Sequence, residues 1–305
     1  MNIVISGGAG FIGSHLVDYF IKEGAKVYVI DNFSSSTQKY LHPESIVLDC
    51  DIRSDKIKQH FSTIKPDLVF HLAAQADVTK SIKYPTTDAD INIVGTINLL
   101  EASVQAKVKQ FIFSSTSAVY GESSEDIIHE TDPTQPISYY GMSKYAAENY
   151  IRLYHHLYQL PYTILRYGNV YGPRQTPKGE GGVIAVFLQK ILSGESLNIH
   201  GNGEQTRDFI FVDDIVLANV SASKQITNDT YHVSTGLKTS VNQIIEKLSH
   251  IHSKPIKKQY VTSRQGDIKD SCLSREKIKQ KLNWVPHHSI DEGLLQTYQF
   301  MKNKS

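Results

Sequence analysis

The stretch "NIVISGGAGFIGSHL" (residues 2–16) decides the fold. Three apolar residues between an asparagine and a serine read as a short buried strand, and the glycines at 7, 10 and 13 that follow open a helix. A strand, a G-x-x-G-x-x-G turn and a helix N-terminus together make an anion site. Glycine permits the tight turn and the close approach of backbone to a diphosphate, and the helix start supplies unpaired N–H groups. A second apolar strand, "KVYVID" (26–31), ends on Asp31, eighteen residues beyond Gly13. A carboxylate there can accept both ribose hydroxyls of an adenosine and repels a 2′-phosphate, which points to NAD rather than NADP.

Working outward, residues 45–51, 67–74, 108–115 and 162–169 are further short runs rich in β-branched residues, separated mostly by helical patterns. Near-continuous apolar strands alternating with helices predict an α/β fold, a doubly wound parallel sheet covered on both faces. The longest helical patterns span 86–107 and 139–159 and carry wide apolar faces, one of which can serve a homodimer interface. After Gly172 the Pro/Gly loop "YGPRQTPKGEGG" (171–182) opens a stretch of shorter elements. We expect a dinucleotide-binding domain over 1–170 and a smaller α/β substrate-binding region over 171–305, interleaved with the first.

Composition narrows the function classes. With 32 basic and 31 acidic residues the formal charge is +1, so no global field attracts nucleic acid or an anionic membrane, and any anionic ligand must be met locally. Cys50 and Cys272 are the only cysteines. They give neither a disulfide framework nor metal-ligand spacing, so no metal is expected. No apolar run of 18 residues occurs, and the chain reads as cytoplasmic.

"ISYYGMSK" (137–144) holds two adjacent tyrosines and a lysine. If a helix starts near Ser138, Tyr139 shares a face with Ser143 and Tyr140 with Lys144, so only Tyr140 gains a cation. A free tyrosine titrates near ~10, and a phenolate at neutral pH needs about 4 kcal/mol of differential stabilisation, which a close ammonium and a nicotinamide cation supply in a site shielded from water. On residue chemistry alone, Ser114, Ser115, Thr116 and Ser117 of "FIFSSTSAVYG" (111–121) are all candidates to orient a substrate hydroxyl.

The glycine spacing is that of the short-chain dehydrogenase/reductase superfamily, and the remaining motifs resemble its extended branch, the NAD-dependent nucleotide-sugar epimerases. The resemblance covers essentially the whole chain. It implies that Tyr140 and Lys144 are the catalytic pair and that Thr116 is the third catalytic residue. It places Phe11 and Ile12 in the phosphate turn and Asn32 and Ser36 beyond Asp31, and Asp51 and Ile52 of "DCDIR" (49–53) beside the adenine. Leu72, Ala73, Ala74 and Gln75 of "HLAAQ" (71–75) mark a strand end under the cofactor. Asn92, Ser114, Tyr167 and Val170 complete the cofactor set. On the UDP-sugar side it implies Asn169, Val183, Arg207, Arg264, Asp267 and Ser271, with the two arginines on the diphosphate and Asp267 on the uridine ribose.

The pattern most resembles the shorter bacterial type of UDP-glucose 4-epimerase, and departures from its relatives refine the expectation. Sugar-nucleotide 4,6-dehydratases carry an Asp-Glu pair after the threonine, whereas Ser117 and Ala118 stand here, so no acid is placed for dehydration. Related epimerases act on uronates and pentoses, and Lys80, Lys83 and Arg174 lie in presumed loops within reach of C6. The small Ser271, seven positions after Arg264, implies room for an acetamido group. The rival of another class is a dinucleotide sensor without chemistry, for which the retained proton-transfer groups have no use.

Overall fold

The computed structural model describes residues 1–177, 182–262 and 269–304. Strands β1 (Asn2–Ser6), β2 (Lys26–Asp31), β3 (Ile46–Asp49), β4 (Leu68–His71), β5 (Gln110–Thr116) and β6 (Tyr162–Tyr167) lie in one sheet. A seventh strand, Asp229–Val233, closes the edge beside β6. The spatial order runs from this strand through β6, β5, β4 and β1 to β2 and β3, with every pairing parallel. Chain direction reverses across the sheet at β1 and β4, and the crevice beyond the strand C-termini at such a point is where doubly wound folds bind ligands.

The apolar strands are explained by burial on both sides. Ile3 and Ile5 of β1 pack with Leu16, Phe20, Phe70 and Leu165 on one face. Val4 packs with Val69, Phe111, Phe113 and Leu99 on the other. The first face is covered by α1 (Phe11–Lys22) and the helix Val212–Ser223, and the second by α2 (Lys56–Ile64), α5 (Gly95–Ala106) and α6 (Tyr139–Tyr158). A third cluster, including Phe187, Leu188, Ile199, Phe211, Ile244 and Leu294, forms the core of the smaller elements from the second half of the chain. Two short parallel pairs, Asn169–Tyr171 with Phe209–Phe211 and Leu197–His200 with Lys258–Val261, lie there.

Two expectations change in detail. The run 45–51 yields only the four residues of β3, because an edge strand has one neighbour and its Ile46 and Val47 remain exposed. The pattern over 86–107 is not one regular helix. It divides into α4 (Pro85–Ala89), a wider π turn over Asp90–Val94 closed by the Gly95 N–H to the Asp90 carbonyl, and α5. π turns concentrate at functional sites, and this one holds Asn92.

Candidate active site

A cleft of about 430 Å³ runs along the C-terminal ends of β1, β2, β4, β5 and β6. Its floor is the glycine turn. Gly7 has φ +71°, and a Cβ on it would lie 2.6 Å from the Ala73 nitrogen, while a Cβ on Gly13 would lie 2.2 Å from the Gly7 carbonyl oxygen. Both positions therefore need glycine for the turn to pack against the end of β4 and against itself. Gly10 caps α1 with no side-chain acceptor for the first-turn N–H groups, the arrangement that receives a diphosphate. Gly7, Gly10, Phe11, Ile12 and Gly13 all line the cleft, as do Leu72, Ala73, Ala74 and Gln75.

At one end Asp31 is buried, its Oδ2 accepting from the Ala9 N–H (3.0 Å) and its Oδ1 from the Phe33 N–H and the Ser36 hydroxyl (both 2.9 Å). The hydroxyl of Ser36 thus fixes the carboxylate, and Oδ2 retains lone-pair capacity for a ribose hydroxyl. Asn32 donates to Asp51 at 2.7 Å. Hydrogen bonds from Arg53 to Asp51 hold that carboxyl well below the usual carboxylate range. Asp51 and Ile52 both line this end.

At the other end Ser138 caps α6 by accepting from the Gly141 N–H at 3.1 Å, so the helix starts at Tyr139 as its spacing predicts. Tyr139 is 53% exposed, whereas Tyr140 lines the cleft with Lys144. Lys144 is only 3% exposed and its Nζ lies 4.3 Å from the Phe113 ring centroid. The Tyr140 backbone N–H donates to the Ser81 hydroxyl at 3.2 Å, tying the helix start to α3 (Val78–Lys83).

The four hydroxyls after Phe113 separate by position. Ser114 is bonded to the Tyr167 hydroxyl (2.9 Å) and Ser115 donates to Glu148 (2.6 Å). Thr116 ends β5 beside Tyr167 and accepts from the Ala118 N–H at 3.1 Å, a bond that uses a lone pair and not its proton. Thr116 lies outside the lining of the cleft, where Ser114, Tyr167, Asn169, Val170 and Val183 are found. The Tyr167 hydroxyl also accepts from Asn219 at 2.7 Å, and burial, only partly offset by these two bonds, pushes it up to about 12.

Asn92 does not line the cleft. It is buried beneath Gln75, accepting from the Gln75 N–H at 2.8 Å and donating to the Gln75 carbonyl and the Ser143 hydroxyl. Its own carbonyl, freed by the π turn, accepts from the Thr96 hydroxyl at 2.6 Å. With that proton committed, Thr96 accepts from His71 Nε2–H at 2.9 Å, and His71 Nδ1 accepts from the Ser6 hydroxyl at 2.7 Å. Burial first, and then the Lys144 cation, hold His71 well below its ordinary range, hence neutral. Motif reading passed over His71, since one histidine in an apolar strand carries no local signal.

On the remaining side Arg207 donates to the Thr206 carbonyl at 2.8 Å, and Ser271 is buried. Neither lines the cleft; Arg264 and Asp267 lie outside the described residues. Asp208 organises this side, accepting from the Thr235 N–H and hydroxyl, the Gly236 N–H and the Leu273 N–H. Lys80 lines the cleft from α3 and not from a loop; Lys83, on the same helix, packs over the Tyr84 ring. Arg174 is committed to Asp18 at 2.6 Å and to the Tyr40 ring and is not among the cleft lining. Gln175, Thr176 and Gly182 also line the cleft, drawn in by a Pro/Gly loop whose path no periodicity reveals.

Residues 3–234 match the model of the NAD dependent epimerase/dehydratase family. The chain belongs to that family. NAD is its cofactor, and the α1 start at Gly10, with no side-chain cap and facing the cleft, fits the dinucleotide phosphates. Three solved structures similar to this chain differ in the sugar they act on. A UDP-glucose 4-epimerase from Thermotoga maritima, solved with UDP-glucose, is 43% identical, with a TM-score of 0.98 over 100% of this chain and 99% of that one. A UDP-N-acetylglucosamine 4-epimerase from Methanobrevibacter ruminantium, in complex with UDP-N-acetylmuramic acid, is 35% identical, with a TM-score of 0.95 over 100% and 99%. A UDP-glucuronic acid 4-epimerase from Bacillus cereus, in complex with UDP-glucuronic acid and NAD, is 32% identical, with a TM-score of 0.93 over 100% of both chains. Among the described residues no helix is long and apolar enough to cross a membrane, and no cluster of metal-ligating side chains occurs.

Proposed function

We propose that this protein inverts C4 of UDP-hexoses, interconverting UDP-glucose with UDP-galactose and UDP-GlcNAc with UDP-GalNAc through a transient 4-keto sugar. The observation that carries this reading is the pair Tyr140 and Lys144 on one wall of a cleft whose floor is the dinucleotide turn. NAD, when bound, would supply the acceptor and the donor for a hydride at C4. Tyr140 takes the O4 proton and later gives it back, and Lys144, one turn on, stabilises the charge that Tyr140 carries in between. Thr116, whose proton is not used by its cap, orients O4. Asp31, with Ser36 behind it, holds the adenosine ribose, and Asp51 and Ile52 flank the adenine. Arg207 and Arg264 clamp the diphosphate, Asp267 takes the uridine ribose, and Asn169 and Val183 flank the sugar.

No carboxylic acid follows Thr116, which favours return of the hydride over loss of water. Rotation of the keto sugar between the two transfers delivers the hydride to the opposite face. The exposed Leu153, Leu157 and Tyr158 on α6 support a homodimer packed through that helix. A second reading, action on a UDP-uronate, draws on Lys80 in the cleft lining.

The test is to incubate the protein with UDP-glucose, UDP-GlcNAc and UDP-glucuronate and to follow the anomeric protons by NMR, with NAD(H) recovered from denatured protein. New galacto-configured signals from the first two substrates without added reductant are expected. Conversion of UDP-glucuronate alone would replace the hexose reading with the uronate one. Strict dependence on consumed NADPH would overturn both.

A further inference from the structure

A buried polar chain that the proposed chemistry does not use runs from the substrate side of the molecule to the catalytic helix. Its first link is His232, which is fully buried and held down to about 3 by burial and then by the Arg166 cation, hence neutral with one ring proton. That proton must sit on Nδ1, 3.1 Å from the Ser274 carbonyl, so Nε2 is an acceptor and the Tyr120 hydroxyl donates to it at 2.6 Å. Tyr120 in turn accepts from Arg166 Nη1 at 2.5 Å. The other edge of Arg166 forks onto Glu148, Nε to Oε1 at 2.9 Å and Nη2 to Oε2 at 2.6 Å. Glu148 lies one turn after Lys144 on α6, is completely buried, and also accepts from Arg152 and from Ser115, the neighbour of Thr116.

Each donor and acceptor along this chain has a single consistent assignment, so a shift at one end displaces the other or leaves a buried charge unpaired. The Ser274 end is equally well fixed. Leu273 bridges Ile128, its carbonyl accepts from the Ser234 hydroxyl, and its N–H donates to Asp208, the residue that follows Arg207. We infer that Tyr120 and His232 are positioning residues that couple the segment Ser271–Ser274 to the catalytic helix, so that occupation of the nucleotide side sets Tyr140 and Lys144 relative to Thr116. The inference rests on the proposed reading that Arg207 and Ser271 border a UDP-sugar.

Hydrogen–deuterium exchange of the full-length protein with UDP as the probe tests it. In the wild type, UDP should slow exchange over 269–274 and also, by about fivefold or more, over 138–148. Tyr120→Phe keeps the ring and removes both links at once. It should retain UDP binding and protection over 269–274, lose the protection over 138–148, and lower kcat about tenfold with KM changed less than threefold. If that variant does not fold, His232→Phe, which removes the acceptor of the Tyr120 hydroxyl and the donor to the Ser274 carbonyl, should give the same loss. UDP that binds the wild type without protecting 138–148, or a variant that keeps the protection and kcat, would overturn the coupling alone. Failure of UDP to bind the wild type in calorimetry would overturn the coupling and the reading beneath it.

Discussion

At the Gly7–Asp31 end of the cleft the parts that shape the site lie close in sequence: the glycine turn follows its own strand, and Asp31 reaches back 22 positions to the Ala9 N–H. Around Arg207 and Ser271, which stand outside the cleft lining, the parts are remote. Asp208 draws in Thr235 from 27 positions away and Leu273 from 65, and the rest is supplied by short strands from several points in the chain. The first end is made by local backbone sterics and the second by long-range assembly. A cofactor shared across a family suits a site that short sequence can specify, whereas a pocket that must differ between sugars suits one held by replaceable contacts.

The largest expected effect lies where the two ends meet. Tyr140→Phe should lower kcat about 100-fold or more with UDP-sugar binding nearly unchanged, and Tyr139→Phe should cost less than about threefold, because only Tyr140 lines the cleft. Steady-state rates and UDP calorimetry on both variants decide it. Equal losses would mean that the helix start and not the Tyr140 hydroxyl is what matters.

The cofactor end is sharpened by Gly13→Ala. A Cβ there would lie 2.2 Å from a backbone oxygen, too close for side-chain rearrangement to relieve. NAD should bind roughly 30-fold more weakly, about 2 kcal/mol, measured on protein stripped of its nucleotide. UDP affinity should stay within about threefold; a matching loss of UDP would break the distinction between the two ends.

The smallest effect is expected at the remote end. Ser271→Tyr should suppress conversion of UDP-GlcNAc selectively, by roughly tenfold relative to UDP-glucose, since bulk excludes the acetamido group and leaves the smaller sugar's contacts in place. Competing the two substrates in one NMR sample gives the ratio directly. An unchanged ratio would show that Ser271, buried here beside Cys272, does not gate the pocket.

How far the sequence could be read follows the same division. The sheet, the glycine turn, Asp31 and the Ser138 start of α6 were legible because each depends on neighbours within a turn or a strand. The alignment of Tyr140 with Lys144 belongs to the same class, whereas the bond from Ser36 to Asp31 is seen only in the fold. His71, Glu148, Arg166 and His232 were not legible, since each takes its meaning from partners brought close only by the fold, and a buried histidine or ion pair leaves no periodic trace. Lys80, Lys83 and Arg174 looked alike in sequence and separate in space: one faces the cleft, one a tyrosine ring, and one an aspartate of α1.

The π turn over Asp90–Val94 carries an implication for how this segment can change. A wide turn holds one residue more than a regular one, so removing a residue inside it can restore an ordinary helix with little change of phase, whereas removing one from the regular helix rotates everything beyond it by about 100°. Asn92 must face Gln75, whereas Gly95, where a Cβ would fall 2.5 Å from the Ile52 side chain, must face the opposite packing partner. A single-residue deletion within α5 should therefore be far less tolerated than one inside the π turn, because only the turn can give up a residue and keep the phase between the two halves of the helix.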